Sequence, residues 1–154
     1  MKIVEIRQQT AKNLLLPWIE KIAQSDWRAG KYLAQLFTEE KFFDLCGAAS
    51  IVYLLTDDNE NLISFCSFNE KDDIPNTDLT PWIGFVYTFP QYRGKHYMGK
   101  LIETACQEAK NRGQKTIYVS THDEGIYEKY GFSFYQIMKD FDGEDSRVYK
   151  KEIL

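Results

Sequence analysis

The sequence predicts a single α/β domain, and three observations carry that reading. Strand-like runs alternate with helical stretches along the whole chain. The 154 residues amount to one domain, at ~150 residues per domain. No internal repeat, low-complexity tract or Pro/Gly/Ser-rich linker divides them, so the domain is expected to span residues 1–154. A chain of this size removes roughly 70% of its unfolded surface from water, so it can build a real core.

The elements follow in order. Lys2–Arg7 reads as a short strand. Two helical stretches come next, at 11–25 and 27–44. In the first, Leu14, Leu15, Trp18, Ile19 and Ile22 recur at helical spacing, with Pro17 in its first turn or at a bend. In the second, Trp27, Leu33, Leu36, Phe37 and Phe43 can face a core, and Gly30 weakens the helix. Strand-like runs at 49–56 and 62–69 are joined by Asp57-Asp58-Asn59-Glu60-Asn61, whose residue types suit a hairpin turn. A third run, Trp82 to Phe89, stops at Pro90. Beyond it lie an amphipathic helix closed by Gly113, a β-like run at Thr116–Thr121, and a final strand pair at 132–139 and 146–153.

Composition sets the first functional bounds. Hydrophobic residues at 44%, charged residues at 27% and aromatics at 15% describe an ordinary globule rather than a disordered chain. Nineteen Lys+Arg against 23 Asp+Glu give a net charge of −4. That disfavours a nucleic-acid-coating protein, which carries a basic excess. Cys46, Cys66 and Cys106 form no Cys-x-x-Cys pair, so neither a disulfide framework nor a metal site is expected. Free thiols suit a reducing compartment. Charges interrupt the N-terminus, which is no signal h-region. The longest near-apolar run, Leu45 to Leu55, falls short of the ~20 residues that span a bilayer. The expected location is cytoplasmic, without a membrane or nucleic-acid partner.

Charge is unevenly spread. Residues 57–78 hold seven acids (Asp57, Asp58, Glu60, Glu70, Asp72, Asp73, Asp78) against Lys71. Residues 91–115 hold six bases (Arg93, Lys95, Lys100, Lys110, Arg112, Lys115) against Glu103 and Glu108. Most such charges face water. An acidic chain that gathers bases around two glycines nevertheless points to an anion there.

The spot is the segment Tyr92-Arg93-Gly94-Lys95-His96-Tyr97-Met98-Gly99-Lys100, between a strand and a helix. Met98, Leu101, Ile102, Ala105, Cys106 and Ala109 give that helix one apolar stripe, and Gly113 is placed to cap its C-terminus. The first backbone N–H groups of such a helix have no internal partner. With the dipole they make a phosphate site, which Gly94 and Gly99 allow an anion to approach. Gly94 to Lys100 also matches the front of a Walker A loop, but Leu101 stands where Mg²⁺ coordination needs Ser or Thr. A nucleotide-binding protein is therefore the weaker alternative.

The same segment resembles the acetyl-CoA loop of the GNAT superfamily, the coenzyme-A-dependent N-acetyltransferases, whose pattern is Arg/Gln-x-x-Gly-x-Gly/Ala. Arg93 matches the first position, while His96 and Met98 occupy the two glycine positions. Accordingly His96 has to accept a backbone geometry usually left to glycine. A second motif, Gly125-Ile126-Tyr127-Glu128-Lys129-Tyr130-Gly131-Phe132, resembles the family's Leu-Tyr-Glu-Lys-Leu-Gly-Phe segment. The resemblance covers essentially the whole chain. It implies a mixed, largely antiparallel sheet of about seven strands with helices on both faces.

The resemblance also implies a chemistry. The strands before the glycine loop and before the tyrosine motif splay apart to admit the pantetheine arm of acetyl-CoA. Backbone groups of Val86, Tyr87 and Thr88 hydrogen-bond that arm. The pyrophosphate rests on residues 94–99 (Gly94, Lys95, His96, Tyr97, Met98 and Gly99), with the charges of Arg93, Lys95 and Lys100 beside it. A primary amine attacks the thioester directly, with Tyr127 as general acid to the leaving thiolate. His122, at the end of a strand beside the gap, is a candidate base. Asp78 and Glu70 are others, by virtue of the acidic stretch alone. Trp27, Tyr32 and Phe37 lie in the helical region that walls the acceptor site. The acceptor is expected to be a small-molecule or peptide amine, such as a polyamine, an aminoglycoside or a basic peptide. A homodimer is left open. The substituted glycine positions keep a second class in view, a coenzyme-A-binding module without catalysis.

Overall fold

A computed structural model describes residues 1–154. β1 (Lys2–Ile6) leads into α1 (Lys12–Ala23), α2 (Arg28–Thr38) and the short α3 (Phe42–Cys46). β2 (Ile51–Thr56), β3 (Leu62–Asn69) and β4 (Trp82–Thr88) follow. The chain then runs through α4 (Tyr97–Asn111), β5 (Thr116–Thr121), β6 (Ser133–Lys139) and β7 (Asp145–Glu152). Single 3-10 turns occur at Pro90–Tyr92 and Tyr127–Tyr130. The seven strands make one sheet in the order β1-β2-β3-β4-β5-β7-β6. Every neighbouring pair is antiparallel except β4 and β5. The sheet therefore has the mixed, largely antiparallel character expected.

Each face of the sheet carries its own core, because side chains alternate along each strand. On one face Leu101, Ile102, Ala105 and Ala109 of α4 pack over Ile51, Tyr53, Cys66, Phe68 and Ile83. On the other, Ile19 and Ile22 of α1 with Leu33, Leu36 and Phe37 of α2 pack over Val52, Leu54 and Phe65. β2 and β3 are buried at every position, since helices cover both their faces. No helix is long and apolar enough to cross a membrane.

One expected element divides in two. Residues 27–44 do not form a continuous helix: α2 stops at Thr38, and α3 begins at Phe42. Glu40 takes a left-handed conformation, φ 58°. The Glu40 N–H then donates to the Phe37 carbonyl at 3.1 Å and the Lys41 N–H to the Leu36 carbonyl at 2.8 Å. That pair closes a helix C-terminus as a Schellman motif, with glutamate where glycine is usual. The sequence carries no glycine to announce it. α4 ends the same way on Gly113, φ 75°, where glycine does announce it.

Candidate active site

The site is built around a fork in the sheet. β4 and β5 pair only at Trp82 with Tyr118 and Ile83 with Val119. Beyond that point β3 stays with β4 as far as Ser64 opposite Thr88. β7 likewise stays with β5 as far as Arg147 opposite Thr121. Neither strand leaves the sheet, so a gap opens between them and β4 has a free edge from Gly84 onward. A β-bulge marks the branch. Phe65 opposes Tyr87 and Ser67 opposes Gly84, so β4 spends one more residue than β3 across the interval. Phe85 absorbs the extra residue with φ 49°. Val86 then packs toward the α4 core and Phe85 toward the α1–α2 core.

Of the three residues expected to meet the cofactor arm, Val86 and Thr88 are half-buried and Tyr87 is buried. The Tyr87 carbonyl accepts the Ser64 hydroxyl at 2.6 Å, which aims it at β3 rather than at the gap. Its ring stacks on Trp27, centroids 5.5 Å apart and planes within 6°, and its hydroxyl donates to Asp26 Oδ1 at 2.5 Å. Burial and that carboxylate together raise the Tyr87 phenol above its ordinary range. Tyr87 thus ties the free-edged strand to the α1–α2 turn. Trp27 is half-buried, Phe37 is core and Tyr32 is exposed, so the three expected wall residues have three different environments.

The basic loop lies where β4 hands over to α4. Arg93, Gly94, Lys95, His96 and Lys100 are exposed; Tyr97, Met98 and Gly99 are half-buried. Gly94 has φ 84°, and His96, the N-cap of α4, has φ 59° and ψ 30°. The histidine does take the left-handed conformation that a glycine would take. Met98 stands inside the first helical turn and requires no such conformation. No side chain caps this terminus and no acid lies in its first turn. Positive side chains at a helix N-terminus oppose the helix dipole. The arrangement is unfavourable alone and suits an anion. Arg93 Nε donates to the Thr88 carbonyl at 2.8 Å, with the guanidinium over the Tyr87 ring at 5.3 Å. α4 already begins at Tyr97, within the stretch that a Walker loop would need as open coil.

Tyr127 sits in the 3-10 turn after β5. Its ring is 7% exposed within the α4-side core, edge-on to Phe132 at 5.8 Å. Burial, and then the neighbouring Cys66 and Asp72, raise its phenol far above the ordinary range. The hydroxyl therefore keeps its proton near neutral pH. His122 directly follows β5. Its side chain is 60% exposed and turns toward Asp140, 3.7 Å away at the β6–β7 hairpin. Glu70 is occupied as well, its carboxylate accepting the Ala49 N–H at 2.9 Å. Asp78 is exposed. Sequence reasoning singled out Asp78 and Glu70 from the acidic stretch, not the acid that packs against β4. That acid is Asp72, beside Gly84.

Residues 16–132 match the model of the acetyltransferase (GNAT) family. The chain belongs to that family. As a GNAT acetyltransferase it is an acyltransferase enzyme, and its fork, loop and tyrosine turn stand in the order expected from the two motifs. Among solved structures it is similar to aminoglycoside 6′-acetyltransferase type Ii, at 20% identity and TM-score 0.71, covering 100% of this chain and 98% of that one. An aminoglycoside 6′-N-acetyltransferase complexed with coenzyme A matches at 13% identity and TM-score 0.66, with the same coverage. A GNAT-family acetyltransferase from Staphylococcus aureus matches at 16% identity and TM-score 0.63, covering 99% and 100%. No curated protein sequence matches. At such identities the likeness is one of fold.

Proposed function

We propose that this GNAT acetyltransferase moves the acetyl group of acetyl-CoA to a primary amine on a small molecule. The observation that carries the reading is the fork: a free β4 edge that starts at Gly84 and runs toward an uncapped, basic helix N-terminus. Acetyl-CoA is the cosubstrate of this family, and the residues present suit it. The open edge from Gly84 to Thr88 offers backbone groups to the amide-bearing pantetheine arm, in the manner of an added strand. The first-turn amides of α4, with Lys95 and Lys100, suit the pyrophosphate. Arg93 adds a third charge by releasing the Thr88 carbonyl. A backbone N–H of β4 beside the bulge polarises the thioester carbonyl, as an oxyanion-hole donor does.

The amine attacks the carbonyl carbon, and the C–S bond breaks with its electron pair on sulfur. Tyr127 donates a hydrogen bond to that sulfur. Because burial keeps its hydroxyl protonated, Tyr127 stabilises the thiolate without itself having to ionise. Aminoglycoside acetyltransferases among the fold relatives, and the acidic β3–β4 connection, support a cationic small-molecule acceptor. The test compares a primary amine with its fully N-methylated counterpart, with acetylated product read by mass spectrometry. Acetylation of the primary amine alone is expected. Binding of acetyl-CoA without product on any amine would favour a binding module instead.

A further inference from the structure

The β3–β4 connection folds a carboxylate back onto the branch point of the fork. Gly84 is the first β4 residue past the last β5 partner. A methyl group on Gly84 would overlap Asp72 Oδ1 and lie 3.0 Å from Asn69 Nδ2 and 3.1 Å from Ser67 Oγ. Two polar side chains of β3, Ser67 and Asn69, and Asp72 from the connection thus converge on a β4 position that has no side chain. Asn69 Nδ2 donates to Asp72 Oδ1 at 2.9 Å and fixes the carboxylate there.

The cluster has more acceptors than donors. Ser67 and Asn69 are 0% exposed. Ser67 Oγ, Asn69 Oδ1 and Asp73 Oδ1 are buried and have no hydrogen-bond partner. Buried polar atoms without partners are disfavoured in a folded protein, and those of Ser67 and Asn69 beside Gly84 point to a guest that hydrogen-bonds there. No cation pairs with Asp72: the one charge that acts on it is that of Asp73 beside it. Burial, and then Asp73, raise the Asp72 carboxyl well above the usual carboxylate range. An ammonium group is what such a site lacks. It offers three donors and a positive charge, and it holds a proton that must go before nitrogen can attack.

We infer that Asp72 is the base of the transfer, taking one proton from the ammonium group of a cationic amine acceptor at the branch of β4 and β5. This rests on the transferase reading above. R–NH₃⁺ gives one proton to Asp72, which passes it to solvent. The freed lone pair forms the C–N bond at the thioester carbonyl, and the C–S bond breaks with its pair on sulfur. A second proton leaves nitrogen as the amide forms, matched by the proton that the thiolate gains. Asn69 is a positioning residue: it acts through Asp72.

The test uses the full chain with acetyl-CoA and its best primary amine, comparing wild type with Asp72→Asn. The asparagine keeps the shape and removes an uncompensated buried charge, so the acetyl-CoA-induced rise in Tm should persist and report an intact fold. General-base loss is worth about 10²–10⁴-fold in kcat. The fall of wild-type kcat as pH drops through the raised Asp72 pKa should vanish in the variant, whose rate should track free amine instead. Asp72→Glu should recover part of the rate. An unchanged kcat, or a raised KM for the amine alone, would overturn the base assignment while leaving the transferase reading intact. No turnover by wild type on any amine would overturn both.

Discussion

Gly99, in the first turn of α4, lies against the ring of Tyr130: a methyl group on the glycine would stand 2.9 Å from Tyr130 Cε1. The contact joins the first turn of α4 to the turn that carries Tyr127, three residues before Tyr130. Gly99 therefore has a packing reason to be glycine, distinct from the approach of an anion. Gly99→Ala should push Tyr130 outward and destabilise the fold by about 1–3 kcal/mol as overpacking does, less what alanine returns in helix propensity. Chemical denaturation of Gly99→Ala, Tyr130→Ala and the double variant checks it. The two changes should not add, because Tyr130→Ala removes the ring that the Gly99→Ala methyl would clash with.

Acetyl-CoA should raise the Tm, because a ligand bound only by the native state stabilises it, by about 2.7 kcal/mol at 100 times Kd. Arg93→Glu should weaken that shift without unfolding the protein, since the Arg93 side chain is exposed and makes one hydrogen bond, to the Thr88 carbonyl, with its guanidinium over the Tyr87 ring. Titration by differential scanning fluorimetry measures both. An undiminished affinity in Arg93→Glu would reduce the basic loop to solubilising surface.

The left-handed N-cap offers a stability test. His96 bears φ 59° without a side-chain capping bond. Replacing it with glycine removes the Cβ penalty of that conformation, so His96→Gly should stabilise the protein by about 0.5–1 kcal/mol, whereas His96→Val should destabilise it. Urea midpoints of the two variants should move in opposite directions.

Tyr127→Phe removes the hydroxyl and keeps the ring against Phe132. Thermal stability should change little, and kcat should fall roughly 10- to 100-fold, the low end for a positioned donor because a thiolate is already a fair leaving group. Tyr130→Phe, in the same turn, should stay near wild type. Because the Tyr127 phenol is raised far above its ordinary range, kcat should show no alkaline loss from this residue below pH ~10. Full activity in Tyr127→Phe would return the residue to packing alone.

The strands were legible because their apolar, β-branched and aromatic runs end at turn residues, as at Asp57–Asn61 before Leu62. The loop and Tyr127 were legible because each belongs to a local pattern. Two things were not. The break at Glu40 is a backbone decision, a left-handed residue that is not glycine, and leaves no mark in the apolar spacing. Asp72 was one of seven acids in its stretch. What singles it out is tertiary: a side-chain-free position on β4, an amide on β3 and a loop that folds back between them. His122 and Glu70, candidates by sequence position, have surroundings that the sequence does not show either. Their partners, Asp140 and the Ala49 amide, are distant in sequence.

The most direct test of the whole account is thiol release from acetyl-CoA, followed continuously while a panel of primary amines is offered to the wild-type protein. The account predicts release that depends on the amine, is fastest with cationic small molecules, and matches N-acetylated product one for one. Tight acetyl-CoA binding with no amine-dependent thiol release across the panel would contradict it.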